Sequence, residues 1–379
     1  MQNTLKKAIN WLTSSGLFIS DENDQYYGGV HSFYDLNQKK YGFIYPEITG
    51  YFISANRFLY TIDKNENFIK NAKISSNWII DIYNKYNGII QGINHNEKNQ
   101  KLVYSFDTAI CATGLIDSFL LTKEERYLNY SQKMIDELIE EAIGEDGTVL
   151  AFKNIGDNLY VQSPEIWYKK SGCLHIKIAL PLFKLYKITK KNELLELAIK
   201  ICNSYKYFQK EDGSLAMHKK GNEINLHTLC YALEGLLFAF SVTSNSDYLE
   251  CCKKNILWCL KKIGNDGNIE LWHNSKHRSI AAYPLAQLIR IIILIDKIEN
   301  QNQLKDKFLK TYGYLLNFQA NETNHKINGG FFEEYYKTLF GWKKRLRINS
   351  WTTMFAIQAI YWFENYNNIK FENEIDFLY

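Results

Sequence analysis

The sequence predicts an all-α fold, an (α/α)6 toroid of six helical hairpins with short β-hairpin loops at one end. Three observations carry this. A glycine-marked turn recurs six times, at Gly29, Gly88, Gly147, Gly213, Gly267 and Gly330, at intervals of 54 to 66 residues. Each turn follows a two-faced helical stretch and precedes a more apolar one. No Pro- or Ser-rich linker interrupts the pattern, so residues 1–379 are expected to form one domain. Two helices and a hairpin, repeated six times, are what a closed ring of helical pairs requires.

The two helix types are expected to alternate. Leu194, Leu197, Ala198, Ile201, Tyr205 and Phe208 make one apolar stripe, with Glu193, Glu196 and Lys200 opposite, which is the outer-layer pattern. Similar stripes run near 3–15, 67–86, 124–142, 247–263 and 302–318. The segment Leu226–Val242 is apolar nearly all round, with Glu234 its only charge, as suits a helix enclosed by a second layer. Inner helices of this kind are expected near 48–62, 106–121, 172–188, 279–297 and 349–365. The first outer helix should then close against the last inner one. Thr122-Lys123-Glu124-Glu125 reads as a capping box, and Ser246-Asp247 and Asn192-Glu193 as N-caps. Asp146-Gly147, Asp212-Gly213 and Asp266-Gly267 are tight-turn dipeptides that can seed short hairpins.

Composition narrows the function classes. Hydrophobic residues make up 46% and charged residues 23%, enough for a large core. Aromatic residues reach 15%, and Tyr and Trp suit both core packing and stacking on sugar rings, although base-composition bias alone also enriches Tyr with Asn, Lys and Ile. The net charge of +4 and the single basic block Lys343-Lys344-Arg345-Leu346-Arg347 are too small for a nucleic-acid footprint. Seven cysteines without CxxC spacing read as reduced, buried thiols of a cytoplasmic protein. The N-terminus has the spacing of an amphipathic helix rather than a secretory h-region, and the apolar run at Ile291–Ile295 is too short to span a bilayer. GxGxxG, Walker A, GxSxG, HExxH, DDxxD and DxDD are all missing.

Candidate site residues sit at the six junctions leading into inner helices, where free N–H groups face the mouth of the ring. The first junction offers Glu47 between Tyr45 and Tyr51, just after Pro46; Glu47 can equally serve the helix dipole. The second offers Asp107, an N-cap or a carboxylate facing Glu47 from the neighbouring inner helix. Two carboxylates across a cavity are what glycosidic cleavage needs, one protonated and one ionised. Glu165, Trp167, Tyr168 and His175 flank the third junction. At the fourth, His227, Tyr231 and Glu234 share one helix face, and His227 with Tyr231 suits proton abstraction beside a carboxylate or sugar hydroxyl binding. The fifth holds Trp272, His273, His277, Arg278 and Tyr283; two histidines at i and i+4 without an acidic third ligand do not make a metal site. The sixth holds Glu333, Trp342, Arg345, Arg347 and Trp351. There Arg345 and Arg347 form a candidate clamp for a carboxylate or phosphate, or else a solvated charge run.

These segments resemble bacterial toroid proteins of the VpsJ type, polysaccharide biosynthesis proteins within the wider six-hairpin glycosidase and prenyl-cyclase-like superfamily. Tyr45-Pro46-Glu47-Ile48-Thr49-Gly50-Tyr51 is similar to that family's YPETTGY, and Phe106-Asp107-Thr108 to the start of its FDTGQ. His227-Thr228-Leu229-Cys230-Tyr231 through Leu237 is similar to its HTIAYTxxGLL. Gly329-Gly330-Phe331, with Asn349-Ser350-Trp351 through Phe355, resembles its GGI…NWAxKF ending. The order holds from about residue 26 to residue 366. The chain departs from the pattern at Ala109-Ile110 and at Leu285-Ala286-Gln287. The resemblance implies a surface-polysaccharide context and no particular mechanism.

Three functions follow as expectations. One is a glycan hydrolase using Glu47 and Asp107, with Tyr45, Trp272, Trp342 and Trp351 stacking on sugars. Another is a lyase or epimerase in which His227 or Tyr231 removes a proton beside a sugar carboxylate held by Arg345 and Arg347. The third is a non-catalytic glycan-binding or assembly protein. An oligosaccharide or other sugar-containing partner is common to all three. No cofactor, no metal, no nucleic acid and no integral membrane segment is expected.

Overall fold

The computed structural model describes residues 3–95, 101–163, 166–299 and 304–379, with the backbone alone for 304–307. Its long helices are α1 Asn3–Ser14, α2 Pro46–Ile62, α3 Glu66–Tyr86, α4 Ser105–Thr122, α5 Glu125–Glu141, α6 Ala179–Thr189, α7 Asn192–Lys206, α8 Leu226–Thr243, α9 Ser246–Lys262, α10 Ala282–Glu299, α11 Leu304–Leu316 and α12 Ser350–Glu364. A 3-10 turn, Cys173–Ile178, leads into α6. The short strands are β1 Phe33–Asp35, β2 Lys40–Tyr41, β3 Leu102–Tyr104, β4 Phe152–Asn154, β5 Ile224–Asn225, β6 Trp272–His273, β7 Ser279–Ala281, β8 Phe331–Phe332, β9 Glu334–Thr338, β10 Gly341–Lys344 and β11 Arg347–Asn349. Even-numbered helices are the apolar type and odd-numbered ones the two-faced type, in the order the repeat predicts. Helix α5 buries only the stripe Tyr127, Ser131, Met134, Ile135 and Leu138. Helix α8 is long and apolar enough to cross a membrane by composition, and 72% of it is buried inside the fold, as befits a core helix.

The turns explain the period. Gly28, Gly88, Gly147, Gly213, Gly267 and Gly329 all have positive φ, so the left-handed residue of the first and last turns is one position before Gly29 and Gly330. A Cβ at Gly147 would lie 2.5 Å from the Lys200 carbonyl carbon, and one at Gly213 2.6 Å from the Lys254 oxygen. At Gly267 and Gly329 it would run into the backbones of Lys310 and Lys7. Each of these four turns therefore leans on the backbone of a two-faced helix, where a side chain has no room. The preceding Asp146, Asp212 and Asp266 each accept the amide two residues on, which closes the turn.

Several helix starts differ from expectation. Asn245, not Ser246, caps α9, accepting the Asp247 amide at 3.0 Å. The capping box at Thr122 does not form: Thr122 ends α4, Lys123 turns left-handed at φ 63°, and Glu124 caps α5 with no side-chain bond. A recurring device ties the apolar helix starts to their loops. The hydroxyls of Thr49, Thr108, Thr228 and Thr353 return to the carbonyls of Tyr45, Tyr104, Asn225 and Asn349. Thr49 and Thr353 also accept from the Val30 and Phe331 amides.

The chain folds as two compact units, each described by itself. One comprises Phe18–Ser32, Gly42–Tyr205 and Tyr379. In it α2 packs on α3 and α4, and α4 on α5 and α6, while β3 pairs antiparallel with β4. The other comprises the chain up to Leu17, Phe33–Tyr41 and Lys206–Leu378. There α8 packs on α9 and α10, α10 on α11 and α12, and α1 on α12. Its sheets run β2-β1-β11-β8, β10-β9-β7 and β5-β6. The first helix closes on the last apolar one, as expected. Trp11 Nε1 donates to the Lys326 carbonyl and Gln319 Nε2 to that of Thr4, both at 2.9 Å. All seven cysteines are buried and free of disulfides.

Candidate active site

Helices α2 and α4 approach backbone to backbone. A Cβ at Gly50 would lie 2.9 Å from the Ile110 carbonyl oxygen, and one at Gly114 2.7 Å from that of Gly50. Only glycine allows this crossing, and it sets the first turns of the two helices beside each other. Glu47 and Asp107 occupy those first turns and are both buried. Asp107 is not the N-cap of α4, a position held by Tyr104.

The two carboxyls and one tyrosine act on one another: the Tyr45 hydroxyl offers each acid some relief, and Asp107 and Glu47 in turn raise Tyr45. No Lys or Arg pairs with either acid among the described residues, and Asp107 Oδ2 is buried without a partner. Burial pushes Glu47 up to about 7, against the relief given by Tyr45. Burial, then repulsion from Glu47, pushes Asp107 well above the carboxylate range. Burial and the two acids raise Tyr45 likewise. With Glu47 brought to about 7 and Asp107 held well above the carboxylate range, the pair retains a proton near neutral pH.

Ten residues further along the same two helices, the opposite arrangement appears. Asp117 on α4 accepts from Arg57 on α2 and from Lys184 on α6, both at 2.8 Å. Burial pushes the Asp117 carboxyl up, but the Lys184 ammonium and Arg57 guanidinium pull it below its usual value. This is a compensated structural charge.

The second unit gathers another polar group. His227 Nδ1 meets Gln287 Oε1 at 2.5 Å, Gln287 Nε2 donates to Glu234 Oε1 at 3.2 Å, and Arg290 Nη2 reaches the same oxygen at 2.6 Å. Arg290 Nη1 donates to Gln358 Oε1 at 2.7 Å. Because the Gln287 amide nitrogen is committed to Glu234, its oxygen faces the imidazole, and His227 carries its proton on Nδ1. The His227 ring lies 4.2 Å from that of Tyr231 and 4.6 Å from that of Tyr283, which in turn lies 6.1 Å from Trp351. Burial, then the neighbouring Glu334, pushes Glu333 up to about 7 despite Arg345 and Arg347. Tyr283 was expected at the fifth junction, whereas Gln287, Arg290 and Gln358 are members that the sequence did not single out as site residues. Their signal was polar residues recurring inside otherwise apolar helices.

Other expected residues are positioned differently. Tyr51 is a core residue, 1% exposed, against Tyr379. His175 is buried in the 3-10 turn, bonded through Nδ1 to Gly172 and stacked on Tyr205. Glu165 lies outside the described residues. Trp272 and His273 form β6 rather than a helix, so the i, i+4 spacing with His277 has no helical meaning. Trp272 packs on the exposed His277 and His273 on Trp258. Arg278 pairs with Glu270 and lies over the half-exposed Trp342. Arg345 pairs with Glu334 at 2.7 Å, and Arg347 pairs with Asp35 at 3.4 Å and covers Phe33. Both guanidiniums thus already have carboxylate partners. Among the described residues no three His, Cys, Asp or Glu side chains converge as a metal ion would require.

Comparison with solved structures defines the class. The chain has the all-α (α/α)6 toroid fold. It is similar to cellobiose 2-epimerase from Bacillus thermoamylovorans, with a TM-score of 0.75 at 10% identity over 97% of this chain and 100% of that one. It is similar to the unsaturated glucuronyl hydrolase of a Bacillus species, with a TM-score of 0.69 at 14% identity over 95% and 97%. D-mannose isomerase gives 0.73 at 11% identity over 96% of both chains. At these identities the likeness is one of fold. No protein-family model and no curated protein matches the sequence.

Proposed function

We propose that the protein is a carbohydrate-active enzyme that cleaves glycosidic bonds with Glu47 and Asp107 as its acid and base. The observation that carries this is the buried, cation-free pair of Glu47 and Asp107 in the adjoining first turns of α2 and α4, with Asp107 Oδ2 unpartnered. Asp107, whose Oδ2 is buried without a partner, is assigned as the acid that donates its proton to the departing sugar oxygen. Glu47 is the carboxylate that activates water or attacks the anomeric carbon. Tyr45, which lowers Glu47, stabilises its ionised form. The unpartnered Asp107 Oδ2 is the atom a leaving-group oxygen would meet.

The names of the fold neighbours supply the substrate class: an epimerase of cellobiose, a glucuronyl hydrolase and a mannose isomerase all act on sugars. The VpsJ-type segments support the finer reading, a role in bacterial surface-polysaccharide metabolism. The seven free, buried cysteines support a reducing, cytoplasmic setting.

A second reading rests on a separate observation. His227, held by Gln287 through Nδ1 and packed against the Tyr231 ring, brings together the groups for proton transfer, the chemistry of a lyase or epimerase. The ion pairs of Arg345 and Arg347 argue against the carboxylate clamp that this reading would use.

The test is a turnover screen with acidic and neutral bacterial oligosaccharides, read by mass spectrometry. Products that gain water, lost in Glu47→Gln and Asp107→Asn, are the expected result. Unsaturated or isomeric products lost in His227→Asn would replace it with the second reading. Binding without any product would leave a glycan-binding protein.

A further inference from the structure

Strands β9 and β10 pair from Thr338↔Gly341 to Tyr335↔Lys344 and leave Leu339 and Phe340 as the turn between them. Leu339 is 100% exposed and Phe340 92%. Neither is needed to close the turn. The Thr338 hydroxyl donates to the Gly341 carbonyl at 2.9 Å and accepts from the Phe340 amide at 3.2 Å, and Gly341 supplies the left-handed φ of 113°. Such turns ordinarily carry Asn, Asp or Gly. Two large apolar side chains held wholly in water at a hairpin tip oppose the hydrophobic effect without a folding return.

The charge left unpaired around them has one sign. The ten residues Tyr335–Lys344 include Lys337, Lys343 and Lys344 and no acid. The nearby arginines are spoken for, Arg278 by Glu270, Arg345 by Glu334 and Arg347 by Asp35. The three lysines make no ion pair among the described residues. Lys337 stands opposite the half-exposed Trp342, with its ammonium 5.5 Å from the ring centre.

We propose that this hairpin docks the protein on an anionic lipid surface. Leu339 and Phe340 enter the acyl boundary, Trp342 lies at headgroup depth, and Lys337 and Lys343 meet lipid phosphates. An apolar tip of two residues is too small for a stable protein interface, and leucine offers nothing to a sugar hydroxyl. Insertion of a narrow apolar tip framed by lysines needs neither a wide contact nor a polar ligand.

The test is sedimentation of the full-length protein with phosphatidylcholine vesicles and with vesicles of phosphatidylcholine and phosphatidylglycerol in equal parts. Binding should be roughly tenfold stronger to the anionic vesicles and weaken with salt. Leu339→Ser/Phe340→Ser and Lys337→Glu/Lys343→Glu should each reduce it by about tenfold or more. Thermal unfolding of each variant reports its folding, and a fluorescent label at Phe340→Cys reports insertion independently by its blue shift. Absence of binding to anionic vesicles, or wild-type binding by both double variants, overturns the proposal. So does a wild-type dimer that Leu339→Ser/Phe340→Ser makes monomeric without any vesicle binding, which would assign the tip to a second copy. Loss of acidic-oligosaccharide binding in the lysine variant with vesicle binding intact would assign it to a glycan.

Discussion

Helices α2 and α4 carry buried carboxylates at both ends of one contact, and the two ends are built on opposite principles. At the C-terminal end Asp117 has two cations, Arg57 and Lys184, and its charge is answered. At the N-terminal end Asp107 has Glu47, a like charge, and no cation pairs with either among the described residues. Burial is similar at both places. The difference therefore comes from what faces each acid, and it separates a charge that holds helices together from one poised to exchange a proton. Glu234, paired with Arg290 in the other unit, follows the Asp117 pattern.

The largest effect that could break this comparison is on turnover. Glu47→Gln and Asp107→Asn should each lower kcat on the substrate found by the screen by about a thousandfold or more, with stability equal or raised. Asp117→Asn should leave kcat within a few fold while lowering the melting temperature. Equal loss of activity in all three would erase the distinction.

Next comes stability at the compensated end. Asp117→Ala removes the acid that Arg57 and Lys184 share and should cost about 3–5 kcal/mol, as should loss of the Glu234 charge beside Arg290 in Glu234→Gln. Urea unfolding measures both. A smaller effect on the same scale separates the ends by pH. Glu47 binds its proton more tightly folded (about 7) than at its ordinary value of 4.5, so its contribution is full below about 4.5. It is then lost as pH rises through about 7, on the order of 3 kcal/mol. Asp117, held low, has the opposite sign: its contribution is present above its ordinary value and lost as the medium is acidified. Unfolding of the wild type and of Glu47→Gln across that range should show a steeper neutral-side slope in the former, the remainder belonging to Asp107. The smallest change targets the crossing itself. Gly114→Ala brings a methyl against the Gly50 carbonyl and should cost about 1–3 kcal/mol while spreading the Glu47–Asp107 pair. Its activity profile should then shift toward lower pH.

Much of this was legible from the chain because it is written locally. The period survives in the sequence since a glycine with positive φ leaning on another helix's backbone accepts no side chain. The doublets Gly28-Gly29 and Gly329-Gly330 hide which member is left-handed, hence the one-residue offset. Glu47 and Asp107 stand out as acids in the first turns of apolar helices one repeat apart. Their closeness also needs Gly50 and Gly114, whose role emerges only when the helices are packed. Pairings across long separations leave no local mark. Arg347 meets Asp35, 312 residues away, and that contact turns a candidate clamp into an ion pair. The Thr122 capping box looks sound in isolation but yields to Lys123, which ends α4 in a left-handed turn.

The most direct measurement is infrared difference spectroscopy of the carboxylic acid C=O band near neutral pH. The account predicts a protonated-acid band at about pH 7 that titrates upward from there, is diminished in both Glu47→Gln and Asp107→Asn, and is untouched by Asp117→Asn. A spectrum with no such band at that pH, or one whose band disappears in Asp117→Asn, would contradict it.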